Sequence, residues 1–238
     1  MSIPPYSGET FVAFLDVSGF KEMMKREHMA RRALNKFYTT IYAVGRGFLN
    51  LNNQDNLLEV DAVVISDCAM LFSRNANTAQ DKVKGMRSIL KFIRQINQEL
   101  IDSHPSPSIM TTCSIAYGDF KYENRIEFES VRKNFFVGWP YVKAFLDNES
   151  GKPKIHPGQC RLMKENLNLT ESIPTHFPFS LLEETNKYYY FHWMLDSLDD
   201  LKQFRQEYRD TYQLKYTGMI SVLQKYANSA HTGPRTHD

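Results

Sequence analysis

The most chemically suggestive residue of this 238-residue chain is an aspartate at the end of an apolar run. Residues 11–15 are five consecutive apolar residues, which is typical of a strand buried on both faces, and Asp16 follows directly. A buried carboxylate is costly unless it is paired or holds a metal. Ser18 and Gly19 then begin a turn and a helix, where backbone N–H groups can approach an anion. The stretch therefore predicts a site for a cation and a phosphate, and the simpler alternative is that Asp16 caps the next helix.

A second carboxylate, Asp67, lies between two short apolar runs. The segment Val60–Phe72 predicts two strands joined tightly at Ser66-Asp67, which is a β-hairpin with Asp67 at or next to its tip. Asp is also a common turn residue, so Asp67 alone would indicate nothing more than a turn. If the hairpin pairs beside the first strand, however, Asp67 comes next to Asp16. Two acids that flank one site can hold two hard cations, with triphosphate oxygens completing their coordination.

Four blocks of the sequence resemble, in family order, the catalytic domains of the class III nucleotidyl cyclases. Residues 14–20 and 64–70 resemble the two metal-binding segments of the family. Residues 114–118 resemble the next core strand, and residues 137–144 resemble the segment that carries the transition-state residues. The blocks cover roughly residues 8–195, and the first two together are the most specific. The compact single-domain form, with its helix start Trp139-Pro140-Tyr141, is most similar to the bacterial pyrimidine cyclases of the Pycsar anti-phage system.

The resemblance implies an intramolecular reaction. The ribose 3′-oxygen attacks the α-phosphorus, pyrophosphate leaves and a 3′,5′-cyclic monophosphate forms. Asp16, Asp67 and the carbonyl of Val17 would hold two magnesium or manganese ions, one activating the 3′-hydroxyl and the other neutralising the leaving triphosphate. The backbone N–H groups offered to the phosphates would be those of Ser18, Gly19 and Phe20. Because the family places its sites at a twofold interface, the resemblance also implies a homodimer.

The chain departs from purine-specific family members at both base-reading positions. Those members use a Lys four residues before the second metal-binding Asp, and an Asp three residues before the glycine of the fourth block. The same positions here are Val63 and Phe135. Neither side chain can hydrogen-bond an adenine edge, which argues against an adenylate cyclase. A differently built base pocket is therefore needed, to which Tyr141 could contribute by stacking on the base. The resemblance to the pyrimidine cyclases implies that the substrate is UTP or CTP.

A further departure concerns the transition state. The family's Asn and Arg correspond here to Val142 and Leu146, which carry no polar group. An Arg at the developing phosphoryl charge can be worth several kcal/mol, so either another cation replaces it or the domain is inert. Lys187 lies where the family keeps a phosphate-binding Lys, before the last strand, and is the expected replacement. The other available cations are Lys143, Arg125 and Arg132.

Two other functions stay open. A catalytically inert cyclase-like module would bind a metal–nucleotide complex, or act as a dimerising regulator, without forming product. A different two-metal phosphotransfer enzyme, such as a cyclic dinucleotide synthase, should carry a Gly-Gly-(Asp/Glu)-Glu-Phe hairpin. Ser66-Asp67-Cys68 stands in its place, which disfavours that alternative.

Composition excludes several broad classes. A formal net charge of +2 is far from the basic stripe of a nucleic-acid-binding protein. The chain has no 18-residue apolar segment and no charged leader before an apolar run, so we expect a soluble cytoplasmic protein without a membrane partner. Cys68, Cys113 and Cys160 show no pairing pattern, which favours reduced thiols.

The periodicity of the apolar residues predicts an α+β fold, a ferredoxin-like antiparallel-rich sheet with helices packed on one face. Residues 1–9 are predicted to be an irregular lead-in. Helices are predicted at 20–49, 78–101 and 139–149, with a further candidate helix near 158–166 in a loop-rich region, and a polar loop at 50–56. Strands are predicted at 109–117 and 188–195, and a hairpin arm over 120–137 with its tip at 122–125. The predicted organisation is a cyclase-like catalytic domain at 8–195, a C-terminal helical extension at 196–230 and a disordered tail at 231–238.

Overall fold

The computed structural model describes residues 3–55, 57–74, 76, 78–102, 107–128, 131–167, 173–211 and 215–229. Its strands are β1 (Tyr6–Val17), β2 (Val60–Ile65), β3 (Cys68–Ser73), β4 (Thr111–Phe128), β5 (Val131–Val137), β6 (Cys160–Met163), β7 (Leu182–Glu184) and β8 (Tyr188–Phe191). Its helices are α1 (Phe20–Met23), α2 (Glu27–Asp55), α3 (Ala79–Ile101), α4 (Trp139–Ser150), α5 (Leu201–Asp210) and α6 (Lys215–Ser229). The predicted α+β class is confirmed.

The strands form one sheet in the order β2-β3-β1-β4-β6-β8-β7, with β5 pairing the far part of β4. All neighbours are antiparallel except β4 and β6, which run parallel. The predicted antiparallel-rich sheet is thus confirmed. In β1, Asp16 stands opposite Cys68 of β3 on one side and Thr112 of β4 on the other. The end of the central strand is therefore flanked by a neighbour on each side.

Both faces of the sheet are covered. Leu15 of β1 belongs to the large core with Phe37 of α2 and Phe92 of α3, whereas Phe14 packs with Ala144 of α4 in a separate cluster. Successive side chains of a strand point to opposite faces, so α4 lies on the face opposite α2 and α3. The prediction of helices on one face is wrong in this respect, because a strand that is apolar at every position needs a layer on each side.

The helices around the core follow local rules. Thr78 caps α3, its hydroxyl accepting a hydrogen bond from the amide of Asp81 at 3.1 Å. The predicted helix at 78–101 is confirmed. Helix α2, in contrast, continues through Gly45 and Gly47 to Asp55, so the loop predicted at 50–56 is wrong for residues 50–55. Phe48, fully buried late in this helix, anchors it against Phe92.

Three other segments differ from the prediction. β1 already begins at Tyr6, within the expected lead-in, because β4 is long enough to pair with it there. β4 runs on to Phe128, so the arm does not turn at residues 122–125, and the chain between β4 and β5 lies outside the described residues. Tyr122 is buried at the expected tip. The helix considered for 158–166 is instead β6, since residues 160–163 complete the sheet beside β4.

The C-terminal part contains helices, as predicted. Phe204 of α5 packs edge-on against Tyr226 of α6 at 5.3 Å between ring centroids, and both belong to the main core. The tail predicted for 231–238 lies outside the described residues. All three cysteines carry free thiols. Among the helices of the described segments, none combines the length and apolar composition needed to cross a bilayer.

Candidate metal and nucleotide site

The fold brings the two aspartates together. The amide of Val17 donates to the carbonyl of Asp67 at 3.0 Å, which ties the β2–β3 turn to the end of β1. Ser66 takes a positive φ of 56°, the conformation that tight two-residue hairpin turns require. Carboxylate oxygens of Asp16 and Asp67 and the thiol sulfur of Cys68 all lie within 4.8 Å of one another. The expected convergence of Asp16 and Asp67 is therefore present in the structure.

The environment of this cluster disfavours negative charge, first through burial and then through neighbouring carboxylates. Burial raises the pKa of Asp16 to about 6, and the nearby carboxylates of Asp67 and Glu149 also raise it. The Cys68 thiol, which donates to Asp16 Oδ1 at 3.3 Å, opposes this rise. Burial, followed by the charge of Asp16, holds the pKa of Cys68 well above its usual range. A cation between the two aspartates would relieve this repulsion.

The residues present fit a divalent cation. Two carboxylates are hard oxygen ligands of the kind that Mg²⁺ and Mn²⁺ prefer. The hydroxyl of Ser18, two residues after Asp16, is buried and has no hydrogen-bond partner among the described residues. A buried hydroxyl of this kind requires a polar partner that the described residues do not supply, and a bound group near Asp16 would provide one. Asp16, Asp67 and the Val17 carbonyl would hold the ion or ions.

The segment expected to bind phosphate is only partly available. The Ser18 amide donates to the carbonyl of Met110 at 2.8 Å. It is therefore not free to bind phosphate in this structure, which corrects the prediction for Ser18. Gly19 adopts a left-handed conformation with φ of 77° and begins the single turn of α1. Phe20 buries its side chain in the core. Of the three predicted amides, those of Gly19 and Phe20 remain as candidates.

A residue of the C-terminal helix supports this segment, which sequence reasoning did not anticipate. The Tyr216 hydroxyl accepts a hydrogen bond from the Met110 amide at 3.1 Å. The Tyr216 ring lies 3.5 Å from the position that a side chain at Gly19 would take. Helix α6 thus contacts the turn that follows β1 and the residue that precedes β4. The sequence signal for this contact is an aromatic stripe of Tyr208, Tyr212 and Tyr216, which predicts that the helix packs but not which residues it contacts.

Helix α4 lies over the same end of the sheet. Asn148 donates to the Phe14 carbonyl at 3.3 Å and accepts from Thr112 Oγ1 at 2.9 Å, so it binds both strands next to Asp16. Tyr141 is half-buried and, like Cys68, packs against the cluster of Phe14, Ala116 and Ala144. Its role in stacking on the base stays a prediction. Val142 and Leu146 sit on the same helix, and Leu146 is exposed.

A fully buried ion pair fixes α4 to the sheet. Arg161 of β6 makes two hydrogen bonds to the Asp147 carboxylate, from Nε at 2.8 Å and from a terminal nitrogen at 2.7 Å. Ser114 and Tyr188 also donate to this carboxylate, at 2.5 and 2.9 Å. Both carboxylate oxygens of Asp147 are thus hydrogen-bonded, by side chains from β4, β6 and β8 together. Because the charges of Asp147 and Arg161 are far apart in the sequence, only the fold shows that they neutralise each other.

Other predicted site residues lie away from Asp16 in the same chain. Successive residues of a strand lie about 3.3 Å apart and neighbouring strands about 4.8 Å apart, so the strand register places Lys187 roughly 20 Å from Asp16. Phe135 pairs with Glu123, roughly 35 Å along β4 from Thr112 by the same count. Val63 is buried in an apolar cluster on the Asp16 face, two strands from β1.

The remaining candidate cations differ in availability. Lys143 pairs with Glu165 at 2.8 Å, whereas Lys187 is exposed and has no side-chain partner among the described residues. The side chains of Arg125 and Arg132 lie outside the described part of the chain. Lys187 is therefore the most available candidate whose side chain the structure describes.

Comparison with known proteins identifies the fold. No family model and no curated protein matches the chain. The guanylate cyclase domain of RhGC from Catenaria anguillulae, solved in complex with GTP, superposes with a TM-score of 0.55 at 12% identity, covering 79% of this chain and 98% of that one. The adenylyl cyclase CyaB from P. aeruginosa gives 0.50 at 11% identity, covering 79% and 95%. The guanylyl cyclase Cya2 gives 0.52 at 11% identity, covering 79% and 93%.

The chain has the fold of a nucleotide cyclase catalytic domain. The structural neighbours are class III adenylyl and guanylyl cyclase domains. At identities of 11–12% this likeness establishes the cyclase fold, while the chemistry must be argued from the residues of this chain.

Proposed function

We propose that this protein is a metal-dependent pyrimidine nucleotide cyclase, which converts UTP or CTP into the 3′,5′-cyclic monophosphate and pyrophosphate. The observation that carries the proposal is the convergence of Asp16 and Asp67 at the end of β1 within a cyclase fold. Two divalent ions held there would supply Lewis-acid activation of the 3′-hydroxyl and charge neutralisation at the triphosphate. The chain's own residues hold the ions through Asp16, Asp67 and the Val17 carbonyl, and offer phosphate the amides of Gly19 and Phe20.

The proposed preference for a pyrimidine base rests on the two base-reading positions. Val63 is buried among Met70, Phe72 and Tyr122, so its environment is apolar and offers no hydrogen bond to a purine edge. Phe135 is exposed and carries no polar group. Such a pocket selects by shape and stacking, and the smaller ring of uracil or cytosine leaves Tyr141 room to stack on it.

A complete site requires two copies of the chain. The strand register separates Lys187 and Phe135 from Asp16 by roughly 20 and 35 Å, so we propose that they contribute to the site of a partner. Large apolar side chains on and beside α4 are exposed, among them Trp139 at 71% and Leu146 at 52%. Exposed aromatic and aliphatic groups concentrated around one helix are typical of a surface covered by a second molecule. We therefore include a homodimer in the proposal, with Lys187 acting across the interface on the phosphates.

The decisive experiment is incubation of purified protein with Mn²⁺ and each of the four nucleoside triphosphates, followed by identification of products by mass spectrometry. We expect cyclic UMP or cyclic CMP, and no product from the variants Asp16→Asn and Asp67→Asn, which preserve side-chain size. Lys25→Gln is a surface control, because Lys25 is exposed and, within the described ranges, its ammonium pairs with Glu22 of the same short segment. A purine cyclic nucleotide as the main product would refute the pyrimidine preference but not the cyclase activity.

The second candidate is a catalytically inert cyclase-like module. It is favoured by the apolar residues Val142 and Leu146 at the expected transition-state positions. This module would bind Mn²⁺ and a nucleotide at the same acids but release no pyrophosphate. Nucleotide binding without turnover of any of the four triphosphates, in folded protein, would select it.

The proposed biological role is second-messenger synthesis in bacterial anti-phage defence, in the cytoplasm. This role rests on the resemblance to the pyrimidine cyclases alone. A plaque assay with cells that express the wild-type chain or Asp67→Asn, together with the downstream genes of the host, tests it.

A further inference from the structure

A second cavity lies where the C-terminal helices meet the end of the sheet. It has a volume of about 450 Å³ and is walled by α5 and α6, by strands β6 and β8, and by the loop of residues 153–159. This is within the size range of small-molecule sites in proteins. Asp16, Asp67 and the residues near them do not line it. The cavity is therefore separate from the proposed nucleotide site.

Aromatic and aliphatic side chains contribute to the lining of this cavity. They include the rings of Phe204, Tyr190 and Tyr208 and the side chain of Leu223. The Tyr208 hydroxyl donates to the Pro157 carbonyl at 2.5 Å, which fixes the ring against the loop. An aromatic surface of this kind favours a flat ring system, which gains both apolar burial and ring contacts.

The rim of the cavity is positively charged. None of the sixteen described residues that line it is acidic, whereas Lys154, Arg205 and Arg209 are cationic. Glu183, which pairs with two of the lining residues, is shared between Arg205 and His192. Lys154 and Arg209 have no ion-pair partner among the described residues. Two uncompensated cations at the mouth of an apolar cavity attract an anion.

We propose that this cavity binds a small anionic ligand with a flat aromatic body, such as an aryl or heteroaryl phosphate. The ring lies on Phe204 between the two tyrosines, and the anionic group faces Arg209 and Lys154. A nucleoside monophosphate and an aromatic metabolite phosphate share this chemistry, and competition experiments with each distinguish these sources. The proposal does not depend on the cyclase activity.

Bound ligand should also stabilise the fold. The carbonyl of Pro153, in the loop that walls the cavity, accepts a hydrogen bond from Arg161 at 2.6 Å. Arg161 in turn holds Asp147 of α4. A ligand that contacts this loop and α5 adds interactions that exist only in the folded chain, so it raises the melting temperature as its concentration rises.

The test is isothermal titration calorimetry of the full chain with 1-naphthyl phosphate, compared with neutral 1-naphthol and with inorganic phosphate alone. We expect saturable binding of 1-naphthyl phosphate that weakens with added salt, weaker binding of 1-naphthol, and none of phosphate at the same concentrations. Arg209→Gln should weaken binding by about three- to tenfold. Lys202→Gln is the matched control, because it removes one positive charge from the same helix outside the cavity.

The location of the ligand is tested with a third variant. Asp16→Asn should leave the affinity for 1-naphthyl phosphate unchanged, because the two sites share no residue. Absence of saturable binding to the wild-type chain would overturn the proposal. So would an equal affinity of the wild type and Arg209→Gln, or a loss confined to Asp16→Asn, which would place the probe at the nucleotide site. None of these results bears on whether cyclic nucleotide is formed.

Discussion

Replacing Arg161 by Met tests how α4 is held above the candidate site. The substitution keeps an unbranched apolar side chain but removes the guanidinium, which is fully buried and makes two hydrogen bonds to Asp147. Burial by itself lowers the pKa of Arg161, but the hydrogen bonds and charge of Asp147 outweigh it, so the net pKa shift is upward. After the substitution, the Asp147 carboxylate would keep only Ser114 and Tyr188 as partners.

The expected cost follows from this uncompensated charge. Removing one partner of a buried ion pair typically costs about 3–5 kcal/mol. For a domain of this size each kcal/mol corresponds to about 2–4 °C in melting temperature, so we expect a loss of about 6–20 °C. Lys143→Met on the same helix is the matched control. Its pair with Glu165 is partly exposed and should contribute about 0–1 kcal/mol.

The assay is urea unfolding of Arg161→Met, of Asp147→Leu and of the double variant. Because each single variant leaves one buried charge alone, the double variant should be more stable than the less stable single one. A free energy of unfolding for Arg161→Met within about 1 kcal/mol of the wild type would refute the reasoning. Additive costs in the double variant would do so as well.

Three further predictions concern assembly and support of the site. Trp139→Glu should convert the dimer to monomers in light scattering without loss of folded structure, because the indole is exposed in the single chain; a persistent dimer would contradict the proposed interface. Mixing inactive Asp16→Asn with inactive Lys187→Gln should restore about a quarter of wild-type activity, since half of randomly formed dimers are mixed and carry one intact site; no recovery would mean that Lys187 does not act across the interface. Tyr216→Phe should cost about 1–2 kcal/mol in urea unfolding because it leaves the Met110 amide unpaired, whereas an unchanged value would indicate that water replaces the hydroxyl.

The acidic cluster could be predicted from the sequence because its signals are local. An acid directly after a run of five apolar residues is conspicuous, and so is an acid in a tight turn between two strand patterns. The sequence left open whether the hairpin pairs beside the first strand, and the structure shows that β3 does so, which brings Asp16 opposite Cys68. The long helix α3 was equally accessible, because its apolar stripe and its Thr78 cap are both local features.

The elements that were missed depend on contacts between distant segments. Arg161 interrupts the apolar pattern of β6, and nothing near it in the sequence shows that Asp147 neutralises it. The polar residues beside Tyr122 indicated a turn, but that ring is buried against Phe72 on the face opposite α2 and α3. The contact of Tyr216 with Met110 likewise joins segments that no local pattern relates. In each of these cases tertiary burial decided the outcome, which single-sequence patterns do not report.

The most direct test of the central claim is a measurement of Mn²⁺ bound in the presence of a triphosphate that cannot cyclise. We choose 3′-deoxy-UTP and 3′-deoxy-CTP, and count bound ions by equilibrium dialysis and electron paramagnetic resonance. The account predicts two Mn²⁺ ions per site in the wild-type protein, and an affinity lowered by about tenfold or more in Asp16→Asn and in Asp67→Asn. An affinity for Mn²⁺ in both variants that equals that of the wild-type protein would contradict the account.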